Sequence, residues 1–319
     1  MSFVAASGVQ TMDQAERPAP IKAVPIRHYG RWIAAAIIAY LVFALFWSLW
    51  HSPNIDLATI REYLFADITL RGVLVTILLT AIAMALGVAG GTLLAVMRLS
   101  NNPILSVTAW VYIWFFRGTP LLVQILFWGF LGALYPSVFI GLPFTGIVFA
   151  SAETSSVIGA STAAVLALAT NEAAYAAELV RAGIISVDRG QQEAAQSLGM
   201  SSGLTMRLIV LPQAMRVLIP PMGNETITML KMTALVSVIA GHDLLTNLQQ
   251  VYQQNFKIIP LLMVASIWYL ILVSVLSVGQ HYLEAYYSRG FGTAEAERAE
   301  KRGAKRIQRK GEGGEIVGV

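Results

Sequence analysis

Residues Leu70–Met97 read LRGVLVTILLTAIAMALGVAGGTLLAVM, a run of 28 residues with one charge, Arg71. A helix crossing about 30 Å of hydrocarbon needs roughly 20 mostly apolar residues, so this stretch is long enough to span a bilayer. Working outward, five more stretches qualify: Trp32–Trp50, Ile104–Leu134, Ser156–Ala182, Pro212–Ala240 and Ile258–Tyr287. In chain order the third of the six, Ile104–Leu134, holds Arg117-Gly118-Thr119-Pro120 and the fifth, Pro212–Ala240, holds Pro220-Pro221, so both are expected to be kinked or broken. Freed backbone groups cost several kcal/mol in lipid, so such breaks survive only inside protein or beside a water-filled cavity. The fold class read from this pattern is all-α, a polytopic membrane helix bundle of about six transmembrane helices.

Composition agrees. The chain is 56% hydrophobic and 13% charged, with mean hydropathy +0.64, where an average soluble domain carries roughly 25% charged residues. There is no cysteine, which excludes disulfides and thiolate metal sites. His28, His51, His242 and His281 lie far apart without metal-ligand spacing, so no metal site is expected. The net charge of +4 is small, and no nucleic-acid partner is expected.

Placement of lysine and arginine sets the orientation. Arg17, Lys22, Arg27 and Arg31 precede the first span, Arg98 follows the second, and Arg189 and Arg207 lie between the fourth and fifth. Arg289, Arg298, Lys301, Arg302, Lys305, Arg306, Arg309 and Lys310 follow the last. The opposite links hold mainly Arg61 and Lys257, and residues 135–155 hold no lysine or arginine. An even number of spans with this bias puts both termini and the link 183–211 in the cytoplasm. The first apolar run exceeds the usual signal-peptide core of about 7–15 residues, and it reads as an uncleaved anchor. The termini, 1–28 and 289–319, read as solvated tails, and the basic cluster in the second suits anionic lipid headgroups.

The link before the fifth span is not loop-like. It runs Arg189-Gly-Gln-Gln-Glu193-Ala194-Ala195-Gln196-Ser197-Leu198-Gly199, then Met200 to Leu208, then Ile209-Val210-Leu211-Pro212. Strong helix formers precede Gly199, which can end that helix as a C-cap. Ser201 or Ser202 can cap a second short helix, and Pro212 suits the first turn of the next span. Two short helices bent about a glycine are expected at the membrane surface. Ala194 and Ala195 keep one side small enough for a partner to approach, and Glu193 offers a charge.

These residues resemble the EAA signature of ATP-binding-cassette importer permeases, Glu-Ala-Ala, three residues, Gly, nine residues, then Ile-x-Leu-Pro. The matching positions are Glu193, Ala194, Ala195, Gly199, Ile209, Leu211 and Pro212. Over roughly residues 68–290 the chain is similar to the subfamily serving histidine, glutamate, glutamine, arginine and opines. The segments that carry this are Leu70–Thr76, Phe116–Gln124, Ala174–Arg181 and Leu230–Ile239. Many members have five spans, and this chain has an additional one in front.

The resemblance implies an importer-permease fold and a domain layout. That layout is a cytoplasmic tail 1–30, an extra transmembrane helix and outer loop 31–67, a permease core 68–288 with coupling loop 183–211, and a basic cytoplasmic tail 289–319. It implies a multi-pass protein of the bacterial plasma (inner) membrane. Two permease subunits, the second identical or related, would pair around a path through membrane lipids. Separate ATP-binding-cassette ATPase subunits would dock on the Glu193–Gly199 region, and an extracytoplasmic amino-acid-binding protein would deliver substrate. The chain lacks the Gly-x-x-x-x-Gly-Lys-Ser/Thr phosphate loop. It is therefore expected to be no enzyme and to hold no cofactor, with ATP and Mg in the partner subunit.

Charge inside a membrane usually faces protein or water, and Arg117, Glu172, Glu178, Arg181, Glu225 and Lys231 are such charges. Asn171, Tyr175 and Glu178 share one helical stripe, and Glu178 can pair with Arg181 one turn on. Asn224, Thr228 and Lys231 share another, with Glu225 beside it, following the expected interruption at Pro220-Pro221. Discontinuous helices near the midplane frame transporter sites. The substrate path is therefore expected at Glu172, Tyr175, Asn224, Glu225, Thr228 and Lys231, though interhelical polar packing accounts for the same pattern. Gly87 and Gly91 form Gly-x-x-x-Gly, which suits close helix packing. A stand-alone secondary transporter or channel would share the spans and buried charges but would not need the Glu193-to-Pro212 pattern. No catalytic carboxylate pair or nucleophile motif supports a membrane enzyme.

Overall fold

The computed structural model describes residues 29–52, 55–142 and 145–287. Both expected tails lie outside the described residues, except at Tyr29 and Gly30. The chain divides after Ile55 into two units. In the first, α1 (Tyr29–Trp50) is apolar all round, with Trp32, Phe43, Phe46 and Trp47 exposed. A helix of that kind needs an apolar surrounding on every side.

The second unit contains the rest. It runs α2 (Leu57–Leu64), α3 (Asp67–Arg98), α4 (Pro103–Gly118), α5 (Leu121–Gly129) and the single turn α6 (Leu131–Leu134). A hairpin follows, β1 (Ser137–Gly141) with β2 (Val148–Glu153), and then the single turn α7 (Thr154–Val157). Next come α8 (Ala160–Ile185), α9 (Arg189–Ser197), the turn α10 (Ser202–Thr205) and a π-helical turn, Met206–Val210. The chain ends in α11 (Leu211–Met232), a 3-10 segment Thr233–Ile239, α12 (Leu244–Asn255) and α13 (Ile258–Tyr287). Among the described residues of both units, five helical stretches, α1 included, are long and apolar enough to span a membrane, and α4 with α5 makes a sixth if the bent pair crosses as one. The molecule is an all-α polytopic bundle.

Small side chains build its centre. Ala83 and Ala95 of α3, and Ala164, Ala167, Ala174, Ala176 and Ala177 of α8, are fully buried. Small residues let helix backbones approach closely where lipid supplies no hydrophobic drive. Leu79, Met84, Ile125, Leu168, Met229 and Val236 fill the remaining space, joining α3, α5, α8, α11 and the 3-10 segment in one core.

The third span breaks where the sequence indicates. Thr119, preceding Pro120, is extended (φ −109°, ψ 141°), as a residue before proline prefers. The axes of α4 and α5 diverge by 100°. Side-chain amides satisfy the freed carbonyls. Gln124 Nε2 donates to Phe116 O (2.9 Å) and Thr119 O (3.1 Å), and Asn171 Nδ2 donates to Phe116 O (3.2 Å) and Gln124 Oε1 (3.2 Å).

The fifth span corrects the expectation. α11 continues through Pro220 and Pro221. A buried amide from α13 supports the helix there, with Gln280 Nε2 donating to Pro220 O (2.7 Å). Gly223 leaves the space that Gln280 occupies. The discontinuity falls later, where α11 passes into the 3-10 segment and ends at Ala240 with φ 55°.

The links hold more structure than charge alone reveals. Residues 135–155 contain the antiparallel hairpin, in which Val138 faces Ala152 and Phe139 faces Ser151. α12 folds back on α3, where Leu244 N donates to Thr76 Oγ1 (3.1 Å) and Asn247 Nδ2 donates to Ile68 O (3.0 Å). A Cβ on Gly72 would lie 2.7 Å from Leu244 Cα, so that contact requires glycine.

Candidate functional site

Two places collect the residues singled out from sequence: a bent helical knuckle on the surface and a cavity within the bundle.

The knuckle is α9, Gly199 and α10. Asp188 caps α9 by accepting from Gly190 N (2.7 Å). At the other end Gly199 N donates to Gln196 O (2.9 Å) and Met200 N to Ala195 O (3.1 Å). That is the Schellman pattern, which places its C′ residue in the left-handed region, and Gly199 has φ 77°. Ser201 Oγ accepts from Leu204 N (3.4 Å) to start α10. Ala195 is buried, while Glu193, Ala194, Gly199, Leu211 and Pro212 are exposed and Ile209 is half-buried. Val187, Val210 and Ala214 form a small core that fixes the knuckle to the bundle. The exposed side of the knuckle carries Glu193, Ala194 and Leu198.

The cavity measures about 460 Å³ and is lined by residues of α4, α5, α8 and α11. Glu172 and Tyr175 enter it from α8, Glu225 and Thr228 from α11, and Arg117 from the end of α4. Glu172 is 3% exposed, and its Oε1 has no hydrogen-bond partner among the described residues. Gly87 makes room for it, because a Cβ there would lie 2.5 Å from Glu172 Cγ. Arg117 is in no ion pair among the described residues, and its Cζ sits 5.0 Å over the Tyr175 ring. Asn171 lines the cavity and ties α8 to the break.

The structure thus brings Glu172, Tyr175, Glu225 and Thr228 together. Asn224 and Lys231 lie on exposed faces of α11 and do not line the cavity. Glu178 instead pairs with Arg181 (2.7 Å). Arg117 was not among the residues expected to line the path. Its signal in the sequence is its position directly before the Gly-Thr-Pro break, where a helix end and a buried charge coincide. Formally the lining carries two carboxylates and one guanidinium, an arrangement that can grip both ends of an amino acid while keeping negative charge to spare.

Residues 87–289 match the family described as binding-protein-dependent transport system inner membrane component. The chain is similar to the arginine transport system permease protein ArgU of Corynebacterium glutamicum, 46% identical over 276 residues, which covers 86% of this chain and 85% of ArgU. It is also similar to a solved amino acid ABC transporter crystallised with histidines, at 34% identity and TM-score 0.60, over 73% of this chain and 99% of that one. The inward-facing MetNI methionine ABC transporter shares the fold, at 20% identity and TM-score 0.53, over 70% of this chain and 97% of that one.

Proposed function

Since the chain belongs to the binding-protein-dependent transport system inner membrane components, we propose that it is the permease of an ATP-driven importer that carries basic amino acids, arginine foremost. The observation that carries this reading is the buried, unpartnered carboxylate of Glu172 facing a cavity it shares with Glu225 and Arg117. With both carboxyls ionised, two carboxylates against one guanidinium leave one negative charge in excess. A zwitterion with a cationic side chain neutralises it: its carboxylate meets Arg117, and its cationic groups meet Glu172 and Glu225. Charge-assisted hydrogen bonds of this kind are about twice as strong as neutral ones. The 46% identity to an arginine permease points to the same substrate.

In this reading both termini and the knuckle face the cytoplasm, following the lysine and arginine bias. Glu193, Ala194 and Gly199 dock on an ATPase subunit while the buried Ala195 seats α9 against its own chain, with Ile209, Leu211 and Pro212 transmitting the movement to α11. ATP and Mg reside in that partner. A binding protein delivers the amino acid on the other side, and a second permease, identical or related, covers the exposed polar face of α11 at Asn224 and Lys231. The test is arginine uptake by proteoliposomes holding the purified complex with its ATPase, supplied with binding protein and ATP. Glu172→Gln is expected to lower uptake at least about tenfold, the value of one charge-assisted hydrogen bond. Unchanged uptake in that variant overturns the site, and uptake that runs without ATP overturns the importer.

A further inference from the structure

Beside the cavity lies a second one of about 570 Å³, lined by Arg98, Trp110, Ile113, Trp114 and Glu178 together with Arg117, Gly118 and Tyr175. The last three line both cavities. The second is the more open of the two, and Arg98, the last residue of α3, lies on its wall. Arg117 and Tyr175 therefore stand on the boundary that the two cavities share.

We propose that the Arg117–Tyr175 contact is a substrate-released partition between two stations of the transport path, the second cavity being an inner station for the amino acid. The proposal rests on the amino-acid import reading and adds to it a residue pair and a second site. Three observations carry it. Arg117 is held by a ring face at 5.0 Å, and among the described residues by no carboxylate, although Glu172 and Glu225 line the same cavity. A cation–π contact is weaker than a bidentate guanidinium–carboxylate pair, so an arriving carboxylate can draw Arg117 off the ring. Arg117 also ends α4 directly before the break, and a Cβ on the neighbouring Gly118 would meet nothing within 4 Å, so the backbone beside Arg117 is not packed in. Finally, the inner station is lined by Arg98, which donates to Ser106, and by Glu178, whose carboxylate a passing zwitterion would share with Arg181.

The experiment measures leak. Proteoliposomes containing the complete importer are preloaded with labelled arginine, and efflux is followed without ATP or binding protein. Tyr175→Leu, which keeps bulk and removes the ring face, is expected to raise efflux on the order of tenfold, the size of a desolvated cation–π contact. Tyr175→Phe, which keeps the ring, is expected to stay as tight as the unaltered protein. Arg117→Gln is a second variant for the case that Tyr175→Leu fails to assemble, and it is expected to leak likewise. If the unaltered complex shows ATP-driven uptake while the leucine and glutamine variants remain tight, the partition is overturned and the import reading stands. Equal leak from Tyr175→Phe and Tyr175→Leu also overturns it. If the unaltered complex shows no ATP-driven uptake, the import reading falls and takes the partition with it.

Discussion

Three glycines of α3 approach α8, and one methyl at each tests how that interface is built. A Cβ on Gly90 would lie 3.2 Å from Ala173 Cβ, a contact that a few tenths of an ångström relieves. A Cβ on Gly91 would lie 2.8 Å from Ala177 N and 2.9 Å from Ala173 O. Those are backbone atoms inside a helix and cannot swing aside. A Cβ on Gly87 would lie 2.5 Å from Glu172 Cγ and 2.6 Å from its Cβ, so the root of that side chain must shift. Replacing a mid-helix glycine with alanine gains roughly 0.5–1 kcal/mol of backbone entropy, and overpacking costs about 1–3 kcal/mol. The balance for Gly90→Ala is near zero. For Gly91→Ala the upper end of the overpacking cost applies, leaving a net loss of about 2 kcal/mol. Gly87→Ala falls between them in stability but displaces the carboxylate in the cavity, so it is expected to lose arginine uptake out of proportion to its loss of stability. The assay is folded fraction against temperature for the purified complex in detergent, with uptake measured on the same preparations. If Gly91→Ala proves as stable as Gly90→Ala, or if Gly87→Ala transports normally, the account of this interface is wrong.

Two further outcomes follow from polar contacts. Gln124→Leu removes the donor serving the Thr119 carbonyl and one of two serving the Phe116 carbonyl, so unfolding by denaturant is expected to show a loss of about 1–3 kcal/mol; a variant as stable as the parent refutes the role given to that amide. Away from the spans, Lys257 Nζ lies 2.8 Å from Asp56 Oδ2. Its hydrogen bond, with those of Thr59, holds the Asp56 carboxyl well below the usual carboxylate range, and Asp56 raises Lys257. A depressed acid contributes stability above its ordinary value near 4, lost only as pH falls through the lower folded value. The raised lysine contributes below its ordinary value near 10.4, lost as pH rises through the higher one. The contact is therefore expected to be indifferent to pH from about 5 to 10, and Lys257→Met to return Asp56 toward the ordinary range in a carboxyl NMR titration. An Asp56 titration unmoved by that change refutes the pairing.

The spans were legible because a run such as Leu70–Met97 has no alternative in water. The knuckle was legible because capping chemistry is local: Gly199 and Ser201 each act on backbone groups within four residues. The cavity was half legible. Helical spacing put Glu225 and Thr228 on neighbouring stripes, but which side of α11 faces α8 depends on packing, and Asn224 fell on the exposed side. The hairpin at 137–153 was not legible, because Phe139, Ile140, Val148 and Phe149 stay exposed and the strands show no alternation of burial. α12 was missed because its docking uses Gly72 and Thr76, more than 160 residues earlier in the chain.

Two proline sites show why sequence alone misjudges a break. Each removes an N–H donor from a helix in a medium that offers no water in exchange. At Pro120 the preceding Thr119 takes the extended conformation, the helix turns by 100°, and Gln124 and Asn171 turn their amides on the exposed carbonyls. At Pro220-Pro221 Gln280 reaches across from α13 into the space left by Gly223, and α11 runs on. Prolines are common to both sites; the donors differ in where they sit. At the first, Gln124 belongs to the segment after the break, so its bonds hold the bend. At the second, the donor comes from a neighbouring helix and braces α11 along its length. The consequence reaches the cavity: the end of α4, at Arg117, rather than a break in α11, brings a helix terminus to the lining it shares with Glu172 and Glu225. A Gln280→Leu change should therefore loosen α11 while leaving Arg117 in place.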